Sequence, residues 1–149
     1  MPVVMVKVDK KALKTQPSWQ VDLNKIYTEF YKESSLVDSA DFISQSLAKP
    51  NHWFAGALFN DHLLGAVLVA EQAASWQLEC LQVRKVTQRR GVAKRLMDLL
   101  ITEAKEKGKA LYLPDLQNYQ AAEALVAELG FLPLTTASSA NQGWVLKSG

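Results

Sequence analysis

Residues 86–96, VTQRRGVAKRL, place two adjacent arginines and a glycine directly before an apolar helical pattern. The first turn of a helix has backbone N–H groups without intrahelical partners and carries the positive end of the helix dipole, so it is a ready site for phosphate. Gly91 lets the backbone approach a ligand closely, and the small Ala93 keeps the first turn uncrowded. Arg89 and Arg90 add charge and bidentate hydrogen-bonding groups. The stretch suits a pyrophosphate, although a solvated arginine pair beside a turn glycine would show the same residues.

Two other phosphate-binding signatures are missing from the sequence. It contains no G-x-x-x-x-G-K-[ST] of a Walker loop and no G-x-G-x-x-G of a dinucleotide-binding fold. A pyrophosphate at this junction would therefore be held by a different arrangement.

The strand before the junction, WQLECLQVRKV, changes the phase of its apolar alternation. Trp76, Leu78 and Cys80 occupy even positions, whereas Leu81 and Val83 occupy odd ones. A β-bulge between Cys80 and Leu81 would produce this slip, and bulges free backbone groups beside functional sites. Alternatively, helices cover both faces of the strand, and the run is simply apolar on both sides.

The elements before this strand predict a sheet preceded by helices. A first strand in VVMVKV is followed by a helix in VDLNKIYTEFY and a second helix near DSADFISQSL. Two apolar runs, HWFAGALF and LLGAVLVA, are joined by Asn60, Asp61 and His62. This short polar junction indicates a hairpin of antiparallel strands.

The junction itself leads into an amphipathic helix that Gly108 can end. Its predicted apolar stripe consists of Val92, Leu96, Leu99, Leu100 and Ala104. A short strand ALYL, a helix YQAAEALVAELG and two terminal strands around FLPL and GWVL follow. The predicted order is β-α-α-β-β-β-α-β-α-β-β.

Length and composition favour one domain over residues 1–149, because a chain of 149 residues with 48% hydrophobic composition can bury a core. The net charge of +2 falls short of the basic excess expected for binding nucleic acid or anionic lipid. The single cysteine, Cys80, suits a reducing cytoplasm, and two histidines without acidic ligand spacing predict no metal. The N-terminal run MPVVMVKVDKK is too short for a signal-peptide core, so we expect a cytoplasmic protein. We also expect the protein to be a monomer when it is alone.

Gln88-x-x-Gly91-x-Ala93 after LQVRKV resembles the pyrophosphate signature of the GNAT acetyltransferase fold, and ALVAELGF is similar to its closing helix. The resemblance spans nearly the entire chain. It implies an α/β (α+β) fold with a mixed sheet of about six to seven strands, helices on both faces and a bulged fourth strand. In that fold the pantetheine arm of acetyl-CoA or coenzyme A lies against the bulged strand. The resemblance assigns the cofactor to Leu81, Gln82, Val83, Gln88, Arg89, Arg90, Gly91, Val92, Ala93, Lys94 and Asn118.

A narrower resemblance rests on separated blocks: DLNKIY, FNDHLLGAVLV, CLQVRKVTQRRGV, AELGF and the terminal GW. Together they are similar to the GNAT-like PanM or PanZ family that activates aspartate 1-decarboxylase. The resemblance implies a coenzyme A-dependent binding partner of the decarboxylase proenzyme. In that family the complex promotes cleavage at a Gly-Ser bond, generates the pyruvoyl group and couples pantothenate synthesis to the coenzyme A level. This chain departs from the family in extra residues around AKPNHW and before WQLEC.

Candidate contacts with the proenzyme lie at two places in the sequence. Arg84 and Lys85 end the strand before the junction, where they are either solvated or able to meet a carboxylate of the proenzyme. Asn60 in the FND turn is most simply a turn former, with a partner contact as the alternative.

The alternative function is an N-acetyltransferase acting on a primary amine of a small molecule or peptide. Glu79 on the bulged strand is its candidate base. The resemblance places a proton-donating tyrosine four residues before Gly130, where this chain has Val126. Tyr112 and Tyr119 lie nearby but do not occupy the expected face. The sequence therefore favours a binding factor over an efficient enzyme and leaves acyl transfer open.

Overall fold

The computed structural model describes residues 3–30, 39–84, 91–113, 129–130, 132–133 and 144–146. The strands in these ranges are β1 (Val4–Val8), β2 (His52–Phe59), β3 (His62–Glu71), β4 (Ser75–Val83), β5 (Ala110–Leu113), β6 (Leu132–Pro133) and β7 (Trp144–Leu146). The helices are α1 (Lys10–Thr15), α2 (Pro17–Phe30), α3 (Ser39–Ala48) and α4 (Val92–Glu106). None of these described helices is long and apolar enough to cross a membrane. The helix predicted in YQAAEALVAELG lies almost entirely outside the described residues.

The strands form one sheet in the order β1-β2-β3-β4-β5-β7-β6. All neighbours are antiparallel except β4 and β5, which run parallel. Parallel neighbours need a crossover connection, and α4 lies in the connection between β4 and β5. The mixed sheet confirms the predicted fold class.

Helices cover both faces of the sheet, as predicted. Helices α2 and α3 pack on one face through a cluster that includes Leu23, Tyr27 and Phe54. Helix α4 packs on the other face, where Trp53 and Trp76 meet edge to face with ring centroids 5.5 Å apart. The inner strand β3 is consequently buried along most of its length on both faces.

A buried carboxylate fixes α2 to the start of β3. Asp22 is 4% exposed, and its Oδ2 accepts a hydrogen bond of 3.0 Å from the backbone N–H of Leu63. Its Oδ1 lies 3.5 Å from Nδ1 of the exposed His62. Because this bond joins residues 41 positions apart, it sets the position of α2 over the sheet.

The β2–β3 hairpin is confirmed, with a shorter loop than the sequence predicts. Asn60 and Asp61 have φ values of 48° and 66°, and two consecutive left-handed residues are typical of a type I′ turn. His62 pairs with Phe59 and thus belongs to β3, although its polar side chain placed it in the predicted junction.

Helix α1 was not predicted, since it buries no residue and shows no apolar stripe in the sequence. Its start is set by Asp9, whose side chain accepts a hydrogen bond of 2.8 Å from the backbone N–H of Ala12.

The stripe of α4 differs from the prediction by one row. Leu99 is only half-buried. Two neighbouring rows of residues, one that begins at Val92 and one that begins at Ala93, face the sheet. The buried face consists of Val92, Ala93, Leu96, Met97, Leu100, Ile101 and Ala104. Two rows of small and branched side chains make a broader face than a single stripe and bring α4 flat against the sheet.

Candidate functional site

Strand β4 carries the bulge that the sequence predicts. Ala66 of β3 pairs with Gln82 and Leu68 pairs with Glu79, so two residues of β4 stand opposite the single residue Val67. The two residues are Cys80 and Leu81, at the position where the apolar alternation slips. Such an extra residue increases the local twist and disrupts the ladder.

The bulge keeps the apolar residues of β4 on one face despite their change of phase. Trp76 and Leu78 before the bulge, and Leu81 and Val83 after it, all belong to the core cluster beneath α4. Because neighbouring side chains of a strand point to opposite faces, Glu79 lies on the face covered by α2.

Strand β4 parts from β5 before the bulge. The two strands pair only from Ser75 to Gln77, whereas β4 continues along β3 as far as Val83, which stands opposite Gly65. Among the described residues, no strand pairs with the other edge of β4 from 78 to 83. This open edge offers backbone N–H and C=O groups to an extended ligand that carries amides of its own.

Gly65 holds the end of β4 close to β3, a role that the sequence analysis did not assign. A Cβ at this position would lie 2.7 Å from Cγ1 of Val83 and 3.1 Å from the backbone oxygen of Gln82. Glycine is therefore required for the two strands to approach at the open end. The available signal was a glycine inside an otherwise apolar strand, a pattern that marks a bulge or a close approach of backbones.

Helix α4 begins at Gly91 in a way that leaves room for an anion. Gly91 is exposed, has φ 77° and ψ 14°, and provides no side-chain cap for the helix. A Cβ added there would meet no atom of the described residues within 4 Å, and the first turn contains no acidic residue. The side chains of Val92 and Ala93 are buried in the core, so only their backbone faces a ligand at this end. Within the described part of the chain, no side chain covers the positive end of the helix dipole at Gly91.

Seven of the candidate cofactor residues lie at the end of β4 and at the start of α4, two segments whose buried side chains share one core cluster. They are Leu81, Gln82, Val83, Gly91, Val92, Ala93 and Lys94. The candidates Lys85, Gln88, Arg89, Arg90 and Asn118 lie outside the described residues.

The other candidates occupy three separate places. Glu79 is half-buried on β4, Arg84 follows the end of that strand, and Asn60 is exposed in the hairpin turn. The left-handed φ of Asn60 agrees with its reading as a turn former. No group of His, Cys, Asp and Glu suited to holding a metal ion occurs in the described part of the chain.

The sheet order, the bulged β4, its parting from β5 and the glycine before α4 define the class of GNAT-fold proteins. A solved aminoglycoside 6'-acetyltransferase type Ii matches with a TM-score of 0.73 at 19% identity, over 98% of this chain and 97% of that one. The Escherichia coli protein YhhK, solved bound to coenzyme A, matches with a TM-score of 0.66 at 27% identity over 100% of both chains.

Within that class, the chain belongs to the PanZ family. The family model described as acetyltransferase (GNAT) domain, PanZ, matches residues 7–144. A PanD regulatory factor from Salmonella typhimurium is 36% identical over 84 residues, which are 56% of this chain and 58% of the relative. The chain thus spans less than two thirds of the length of the curated relative that it matches. The family resemblance predicted from the sequence is confirmed.

Proposed function

We propose that the protein binds coenzyme A or acetyl-CoA and, in that state, activates self-cleavage of the aspartate 1-decarboxylase proenzyme. Membership of the PanZ family and the name PanD regulatory factor of its relatives support the partner. The observation that supports cofactor binding is the open edge of β4. The chain continues from this edge to the start of α4, which has no side-chain cap. YhhK, whose structure holds coenzyme A, has the same fold over its whole length.

The described residues suggest how the cofactor is held. The backbone of Leu81, Gln82 and Val83 pairs with the amides of the pantetheine arm, as an added strand would. The first turn of α4, from Gly91 onward, takes the pyrophosphate through backbone N–H groups and the helix dipole. The proposal adds Gln88, Arg89, Arg90 and Asn118 from the sequence alone.

Binding of the cofactor stabilises the conformation in which it is held and thereby links the coenzyme A level to the partner. A ligand that binds the folded, partner-competent state shifts the population toward that state. In the proposed function the proenzyme is cleaved at a Gly-Ser bond to form its pyruvoyl group, so pantothenate synthesis responds to coenzyme A. Arg84, Lys85 and Asn60 are the proposed contacts with the proenzyme, and the lone Cys80 supports a cytoplasmic setting.

The test is to mix the purified protein with the aspartate 1-decarboxylase proenzyme and follow chain cleavage by intact mass. Reactions contain both proteins with acetyl-CoA, with coenzyme A, or with no cofactor, and further reactions omit the activator. We expect accelerated cleavage only when the protein and a cofactor are both present. Unchanged cleavage together with no complex on gel filtration would show that the proenzyme is not the partner.

One observation favours acyl transfer as a second function. Glu79 is half-buried beside the bulge, on the face of β4 that α2 covers, where it can accept a proton from an amine that approaches the cofactor. If the protein is a transferase, it releases free thiol from acetyl-CoA in the presence of a primary amine, and Glu79→Gln slows that release. Thiol release at the rate without protein, over a panel of amines, would remove this alternative.

A further inference from the structure

One edge of α2 forms a wall of an open cavity. The helix buries Asp22, Leu23, Ile26 and Tyr27 against the sheet. The residues beside that buried face, at spacings of three to four, line a cavity of about 460 Å³ together with the residue that follows β4. The lining consists of Val21, Asn24, Lys25, Thr28 and Arg84. We call this cavity the α2–β4 groove.

The α2–β4 groove is cationic. Its lining includes the exposed Lys25 on α2, and the described lining contains no carboxylate. The carboxylate of Asp22 on the same helix is buried and points to the hairpin, where it accepts the N–H of Leu63. An occupant of this groove is therefore expected to be an anion.

The groove is also partly apolar. Val21 is 52% exposed and is one of two large hydrophobic side chains exposed to this degree in the described chain, the other being Val4 on β1. Val21 and Lys25 are separated by one helical turn, so an apolar contact and a positive charge stand about 6 Å apart along α2. Asn24 adds an amide between them. An extended peptide that carries an apolar side chain next to a carboxylate can contact both Val21 and Lys25. A simple inorganic anion would contact only the positive charge.

Both walls of the groove are fixed to the sheet. Asp22 anchors α2 through its bond to Leu63, and the backbone N–H of Arg84 donates a 2.8 Å hydrogen bond to the oxygen of Leu64. A preformed groove binds without the ordering penalty of a flexible surface. Arg84 also follows Val83 directly, so the groove reaches the end of the strand whose open edge is the proposed cofactor site. An occupant would meet β4 next to the bound cofactor.

We propose that the α2–β4 groove binds an extended acidic segment of the decarboxylase proenzyme, with a carboxylate on Lys25 and an apolar side chain on Val21. This inference rests on the proposed function and adds the surface and the chemistry of the partner segment. It also gives a physical link between cofactor and partner, since both contact the end of one strand.

The experiment uses charge reversal at one exposed lysine. Lys25→Glu is compared with Lys11→Glu, which changes an exposed helical lysine of α1 outside the groove. For each coenzyme A-loaded protein, calorimetry gives the Kd for the proenzyme, and a separate titration gives the Kd for coenzyme A. We expect Lys25→Glu to weaken proenzyme binding about tenfold or more while Lys11→Glu stays near the wild type, since charges at complementary surfaces act locally. Coenzyme A affinity should be unchanged in both.

A partner scan identifies the segment. Each exposed Asp or Glu of the proenzyme is changed to Lys, and one such change should restore binding to Lys25→Glu. Equal proenzyme affinity of Lys25→Glu and the wild type would overturn the groove assignment while leaving the proposed function intact. Loss of coenzyme A affinity in Lys25→Glu would show that the groove belongs to the cofactor site instead. A wild-type protein that does not bind the proenzyme at all would overturn both the function and this inference.

Discussion

The two glycines at the ends of α4 allow a matched test of the phosphate site. Gly91 and Gly108 have φ values of 77° and 70°, both are exposed, and a Cβ at either would meet none of the described atoms within 4 Å. An L-residue in the left-handed region costs about 1–2 kcal/mol. Gly91→Ala and Gly108→Ala should therefore lose similar stability, and both should stay folded because domains have about 5–15 kcal/mol available.

Coenzyme A affinity should separate these two variants. A Cβ at Gly91 stands before the first turn of α4, where the pyrophosphate must approach the backbone, whereas Gly108 lies at the opposite end of the helix. Loss of one hydrogen bond to a charged group costs about 1.5–3 kcal/mol, which corresponds to a roughly tenfold to hundredfold weaker Kd. Gly108→Ala should bind coenzyme A as the wild type does.

Urea unfolding gives the stability of both variants, and calorimetry gives their Kd for coenzyme A. Gly91→Asn is a useful third variant, because asparagine tolerates the left-handed conformation and isolates the steric effect. Wild-type affinity in Gly91→Ala would refute the assignment of the pyrophosphate to this end of α4. Equal loss of affinity in the Gly91 and Gly108 variants would show that the effect comes from stability rather than from contact.

Two further predictions concern the framework of the site. In Gly65→Ala, overlap with Val83 should cost about 1–3 kcal/mol in urea unfolding, and Val83→Ala in the same chain should recover part of it; an additive double variant would contradict this. Asp22→Ala removes the acceptor of the buried Leu63 N–H and should cost about 1–3 kcal/mol by the same measurement, whereas Asp22→Asn retains an acceptor oxygen and should cost less. Equal losses in the two Asp22 variants would show that this hydrogen bond contributes little.

The sequence predicts the bulge because its physical cause is local. A strand buried under α4 must keep its apolar residues on one face. Because the apolar positions change from even numbers at Leu78 to odd numbers at Leu81, the strand needs one extra residue between them. The hairpin follows from two adjacent turn formers, and α4 follows from its apolar period. Each of these features depends on residues close together along the chain.

The features that the sequence does not predict either involve residues that are far apart along the chain or belong to an element that buries no side chain. The need for glycine at position 65 comes from Val83 across the sheet, and the α2–β4 groove joins Lys25 to Arg84 from separate elements. Helix α1 buries nothing and thus shows no period. The apolar pattern includes Leu99 in the stripe because a one-dimensional pattern does not show which part of the helix surface the sheet covers.

The extra residue of β4 is not needed for the pairing of β3 with β4 on either side of the bulge. If Leu81 were deleted, Cys80 would stand opposite Val67, and the pairs of Gln82 with Ala66 and of Val83 with Gly65 would be unchanged. The shortened strand would be straighter and would regain a regular ladder. The insertion therefore costs the ladder its regularity but supplies the buried Leu81 to the core beneath α4, a side chain that the shortened strand would lack.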